Sequence, residues 1–90
     1  MKIAKAAIAG TLESSDVMIT ISPLDKGLTV EVESAVFEQF GAEIERAVRE
    51  VLKEFNVDSA NVRVQDQGAL ECVLNARVET AILRAGETAP

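Results

Sequence analysis

The feature that most constrains this chain is the way its hydrophobic period switches between two residues and about 3.6. Leu28-Thr29-Val30-Glu31-Val32-Glu33 alternates cleanly, as a strand buried on one face does. Over 36–55 the apolar residues Phe37, Phe40, Ile44, Val48, Val51, Leu52 and Phe55 recur at spacings of three and four, with Glu43, Glu45, Arg46, Arg49, Glu50 and Lys53 largely on other faces. That pattern predicts an amphipathic helix, with Ser34 capping its start and Asn56 suited to a left-handed stop at its end. Alternation returns at Asn61-Val62-Arg63-Val64-Gln65, and Asp66-Gln67-Gly68 breaks it. Leu70, Val73, Leu74, Val78, Ala81 and Ile82 then mark a second helical stripe that reaches about Ala85.

The first third of the chain reads as strand. Alternation over 3–12 is weak, whereas Val17-Met18-Ile19-Thr20-Ile21 is β-rich and stops at Ser22-Pro23. Pro23-Leu24-Asp25-Lys26-Gly27 has the residues of a turn, so the second and third strands are predicted to pair as a hairpin. The resulting order, β-β-β-α-β-α, is an α+β fold: a small single-domain antiparallel sheet with both helices packed on one face. Residues 1–90 form one domain on this reading, with 86–90 a frayed tail. Three Phe and no Trp or Tyr leave an aliphatic core, in which each fully buried Val, Ile or Leu contributes about 1.5–3 kcal/mol before entropy is subtracted.

Composition then removes whole classes of function. A net charge of −6 disfavours nucleic acid and anionic membrane surfaces and favours a basic protein partner. No apolar run is long enough to span a bilayer, and Lys5 interrupts the only short N-terminal one, so the expected location is the cytoplasm. With no histidine and a single cysteine, the usual zinc sites and Ser-His-Asp or Cys-His relays cannot be built within this chain, so no catalytic or metal residue is assigned. Asp25, Asp58 and Asp66 fall in separate turns without calcium-loop spacing, and the five glycines form no phosphate-binding loop. Arg63, Arg77 and Arg84 read as solvated charges on a strand and a helix. Cys72 is placed beside Val73 on the apolar side of the second helix, as a buried structural thiol.

What remains is Gly10-Thr11-Leu12-Glu13-Ser14-Ser15-Asp16-Val17-Met18-Ile19. Ser and Asp between two apolar strands make a turn, because their side chains bond nearby backbone. A serine on such a tip, in a chain without histidine, is suited to serve as a handle for a covalently attached arm rather than as a hydrolytic nucleophile.

Gly10-Thr11-Leu12-Glu13-Ser14 with Asp16-Val17-Met18-Ile19 resembles the N-terminal signature of the acyl carrier (gamma) subunit family of citrate lyase. The similarity continues through Ser22-Pro23-Leu24-Asp25, Glu38-Gln39-Phe40-Gly41 and Gly68-Ala69-Leu70-Glu71-Cys72-Val73-Leu74-Asn75-Ala76-Arg77, and so spans nearly the whole chain. The resemblance implies a carrier bearing 2'-(5''-phosphoribosyl)-3'-dephospho-coenzyme A, attached by a dedicated transferase through a phosphodiester at Ser14. It implies that acetyl and citryl thioesters on that arm are presented to the alpha (transferase) and beta (lyase) subunits as citrate is cleaved to acetate and oxaloacetate. On that reading Glu13 and Asp16 shape the loop and aid recognition by a basic surface. A glycine often follows the modified serine in this family; here Ser15 stands in that place and is the alternative attachment hydroxyl. The malonate decarboxylase carrier subunit, which uses the same kind of group, and an α+β interaction module without any covalent group are the alternatives.

Overall fold

The computed structural model describes residues 1–34 and 40–86. Its elements follow in the expected order: β1 (Ala7–Gly10), β2 (Val17–Ser22), β3 (Leu28–Ser34), α1 (Gly41–Glu54), β4 (Ala60–Asp66) and α2 (Glu71–Ala85). The alternating residues of the strands explain the layering. Ala9, Val17, Ile19, Ile21, Ala60, Val62 and Val64 are buried on one sheet face, where they meet Val48, Val51 and Leu52 of α1 and Leu74, Val78, Ala81 and Ile82 of α2. Helix α2 lies over β1 and β2, α1 lies against β3, and the two helices touch each other. The other face carries polar cross-strand pairs, Thr29 Oγ1 donating to Asn61 Oδ1 at 2.6 Å and Arg63 Nη2 to Glu33 Oε1 at 3.1 Å.

The sheet is mixed, not antiparallel, and the predicted β2–β3 hairpin does not form. Strand order is β1-β2-β4-β3, with β1–β2 and β2–β4 antiparallel and β3–β4 parallel. Helix α1 carries the chain back between β3 and β4, so β4 enters alongside β3 in the same direction. The core-facing side chains of β4 are fully buried while those of β3 are only half-buried, which puts β4 in the middle and β3 at the edge. The turn at 23–27 instead crosses the start of β4, where Ala60 N donates to Gly27 O at 3.1 Å.

Three local expectations are also corrected. Ser34 does not cap α1; it ends β3, its Oγ donates to Asp66 Oδ2 at 3.0 Å, and Phe40 occupies the cap position. Phe37 and the helix start assigned at 36 involve residues outside those described. Cys72 is exposed, because it lies two residues, or about 200° of helical rotation, from Leu74 on the buried stripe. Gly86 is not frayed: it bridges to Ile3 and its N–H donates to Ile82 O at 2.7 Å. Residues 87–90 lie outside the described chain. Asn56, with φ of 55°, does stop α1 as its sequence position predicts, its N–H donating to Lys53 O.

Candidate functional site

Strand directions collect three connections at one end of the molecule. The β1–β2 loop (11–16), the β4–α2 loop (67–70) and the start of α1 at Phe40 all lie beyond the ends of the strands where Val17, Ser34 and Asp66 stand side by side in register. Ser14 is at this end.

The β1–β2 loop begins at a position that only glycine fits. Gly10 has φ of +92°, and a Cβ there would stand 1.8 Å from Val17 O. Asp16 N donates to Glu13 O at 3.1 Å, closing a four-residue turn with Ser14 and Ser15 at its centre. Both serines are exposed. They are not equivalent: Ser15 has φ of 66°, in the left-handed region, and its N–H donates to Gln67 O at 2.8 Å. Gln67 N in turn donates to Asp16 O at 2.9 Å, so the two loops are joined by a pair of backbone bonds.

One carboxylate organises the whole loop. Asp16 Oδ2 accepts from Thr11 Oγ1 at 2.6 Å and from Arg77 Nη2 at 2.9 Å, while Oδ1 accepts from Val17 N at 2.7 Å and from Arg77 Nε at 3.1 Å. Thr11 Oγ1 also accepts from Glu13 N at 3.2 Å, which extends the tie to the residue before Ser14. The Arg77 hydrogen bonds, followed by those of Thr11 and Val17, hold the Asp16 carboxyl at about 2, below the ordinary aspartate value of 3.8. Its side chain is only 15% exposed. Arg77 is therefore not the solvated charge that helical periodicity implies; it is the bracket that fixes the serine loop to α2. A partner 61 residues away leaves no local signature in the sequence.

Asp66 does the corresponding work for the neighbouring loop. Buried at the end of β4, it accepts from Ala69 N at 3.0 Å and from Ser34 Oγ at 3.0 Å, fixing the β4–α2 turn and the end of β3 together. Arg63 and Arg84 lie elsewhere, the first paired with Glu33 and the second donating from Nη1 to Ile8 O at 2.8 Å. Asp25 and Asp58 lie at the opposite end, and among the described residues no three Cys, Asp or Glu side chains gather as a metal site.

Ser14 lies outside the main grooves of the surface. An open groove of about 320 Å³ runs between the two helices, lined by Phe40, Ile44, Ala47, Ala69 and Leu74 together with the charged Glu43, Arg46, Glu50 and Glu71. The geometry at Ser14 suits a hydroxyl offered outward on a fixed tip.

Comparison with known proteins covers nearly the whole chain. The family model described as "Malonate decarboxylase delta subunit (MdcD)", an acyl carrier protein model, matches residues 4–85. A curated relative from Salmonella paratyphi A, named citrate lyase acyl carrier protein 2, is 59% identical over 88 residues, covering 97% of this chain and 91% of the relative. One from Haemophilus influenzae, named citrate lyase acyl carrier protein, is 53% identical over 89 residues, covering 99% and 93%. Among solved structures, a chain of a Pseudomonas malonate decarboxylase hetero-tetramer in complex with malonate superposes with a TM-score of 0.74 at 21% identity, over 93% of this chain and 87% of that one, which establishes a shared fold.

Proposed function

This chain belongs to the citrate lyase acyl carrier protein family, and on that premise we propose that Ser14 is the residue through which it carries its prosthetic group. As a member of that family it is a carrier subunit and not itself an enzyme. The observation that carries the assignment is the position of Ser14: exposed, at the first central position of a turn that Ser15 and Asp16 tie to the β4–α2 loop and to α2. Ser15, whose N–H is engaged with Gln67 and whose backbone is left-handed, belongs to the scaffold of the turn.

We assign the group as 2'-(5''-phosphoribosyl)-3'-dephospho-coenzyme A, linked to Ser14 Oγ by a phosphodiester and put there by a dedicated transferase. When bound, it supplies a terminal thiol for acyl carriage between the alpha and beta subunits of citrate lyase, with acetyl and citryl as the acyl groups. The residues present fit such a group: an exposed serine on a braced turn, with the Arg77 guanidinium engaged by Asp16, supports a tether. The chain's part is to hold the attachment point still and accessible, so that a mobile arm gains effective concentration at two active sites. We place this work in the cytoplasm beside the partner subunits; among the described residues no helix is long and apolar enough to cross a membrane.

The family-model description supports a second reading, a malonate decarboxylase carrier. Intact mass and peptide mapping of protein produced with its modification enzymes test the site: the adduct is expected on Ser14, and an adduct on Ser15 or none on either residue refutes the assignment. Reconstitution with citrate lyase alpha and beta subunits, against malonate decarboxylase subunits, then separates the two readings by which substrate is consumed.

A further inference from the structure

We propose that the end of the molecule around the Ser14 loop is the docking surface for its partner enzymes, anchored by Leu70, and that it fits a partner face with an apolar recess rimmed by lysine or arginine. The inference rests on the carrier reading, and it concerns residues that carry no covalent group.

The first observation is a local rule broken twice in the same place. Both helices start at this end, and in both the cap position, where a Ser, Thr, Asp or Asn side chain would satisfy a free backbone N–H, is taken by a large apolar residue. Phe40 begins α1 and Leu70 begins α2, neither making a side-chain cap hydrogen bond. Leu70 has the extended backbone of an ordinary cap residue, φ of −69° and ψ of 154°, so a hydroxyl would work there. It is nevertheless a leucine, and at 71% it is the most exposed large apolar residue described. Local inconsistencies of this kind mark function more often than error.

The second observation is clustering. Phe40 lines one groove with Ala69, the neighbour of Leu70, and Leu12 is exposed on the serine loop itself. The β1–β2 and β4–α2 loops are joined by the Ser15–Gln67 and Gln67–Asp16 backbone bonds, so Leu12 and Leu70 stand on connected loops. Away from this end Ile8, Leu24 and Leu83 are also exposed, each less than Leu70. A fixed apolar group within a polar rim is the form of an interface anchor.

Charge selects the occupant. The described stretches 11–16, 40–43 and 67–71 contain Glu13, Glu43 and Glu71 and neither lysine nor arginine; the charge of Asp16 is matched by Arg77, and Arg46 on the adjoining groove is outnumbered by Glu43, Glu50 and Glu71. A second copy of this chain would present the same acidic end and be repelled, as would a nucleic acid, given the net charge of −6. A protein surface with basic residues around an apolar recess is attracted and steered to the tip.

Leu70→Ser gives a test in which folding and docking move in opposite directions. The new hydroxyl caps α2, so the melting temperature is expected to hold or rise, whereas the KM for the carrier with citrate lyase partner subunits rises about tenfold at little changed kcat. Glu71→Lys is expected to raise the Kd for the same subunits and to flatten its dependence on salt. Leu83→Ser, an exposed leucine farther along α2, is the control and leaves both constants unchanged. Binding titrations are run on loaded and unloaded protein, so the surface is tested whichever residue bears the arm, and the mass adduct reports separately on Ser14. Equal Kd values for the wild type, Leu70→Ser and Glu71→Lys would overturn the proposal.

Discussion

Arg77 of α2 grips Asp16 of the β1–β2 loop through two parallel N–H···O bonds, of 3.1 and 2.9 Å, across a sequence separation of 61 residues. Fork-to-carboxylate geometry of this kind fixes orientation as well as position. Through it the turn that presents Ser14 takes its rigidity from a helix that makes up part of the core. Arg77→Lys keeps the charge but loses the fork, and Arg77→Gln loses both. We expect amide exchange at Ser15 to accelerate by roughly fivefold in the first and more in the second, with slower loading of Ser14 in the same order. Exchange measured by NMR together with the rate of prosthetic-group transfer checks this; equal transfer rates in all three proteins would show that the bracket is irrelevant to presentation.

The same pair sets a pH window. Asp16 is depressed in the folded protein to about 2 from 3.8, so the stability it contributes is fully present above 3.8 and is lost as pH falls through about 2. The loop is therefore expected to stay ordered at pH 4 and to loosen on the approach to pH 2. In Arg77→Gln the carboxyl should titrate closer to the ordinary aspartate value, which a carbon-detected carboxyl titration reads directly.

Gly10→Ala should be among the most damaging single-methyl changes available. The added Cβ meets Val17 O at 1.8 Å, inside any allowed contact, and φ of +92° disfavours a side chain independently. A loss of about 3 kcal/mol or more is expected by denaturant unfolding, since the hairpin cannot relieve the clash without breaking the β1–β2 ladder.

At the tip itself the two serines should separate cleanly. Ser14→Ala abolishes loading and changes stability by no more than about 0.5 kcal/mol, as for an exposed site. Ser15→Gly retains loading and raises stability by up to about 1 kcal/mol, because φ of 66° is left-handed. Loading that persists in Ser14→Ala and disappears in Ser15→Ala would reverse the assignment.

Much of this architecture was legible along the chain. The switches of period located β3, β4 and both helices, since burial of one face imposes a period of two on strands and 3.6 on helices. Asn56 announced the end of α1 through its tolerance of a left-handed backbone. The serine loop stood out through Ser and Asp between two apolar strands, and the long resemblance that named it as a carrier is matched by relatives at 53–59% identity. Cys72 and Ser34 were misread for one reason: each was judged from its neighbours in sequence, whereas the buried arc of α2 excludes the first and the Asp66 carboxylate, on another strand, claims the second.

The sequence by itself determined which segments are strands and which are helices, the main apolar stripe that each of them buries, and that a serine stands on a polar turn. Those properties follow from interactions among residues a few positions apart. Only the tertiary structure decided that β4 lies between β2 and β3 and runs parallel to β3, because a period of two is the same in parallel and antiparallel pairing and names no neighbour. It alone decided that Arg77 meets Asp16 and that Leu70, Phe40 and Leu12 share one end with Ser14. Such pairings depend on how the chain returns on itself, and the physical energy that selects them is the burial of the whole sheet face rather than any local preference.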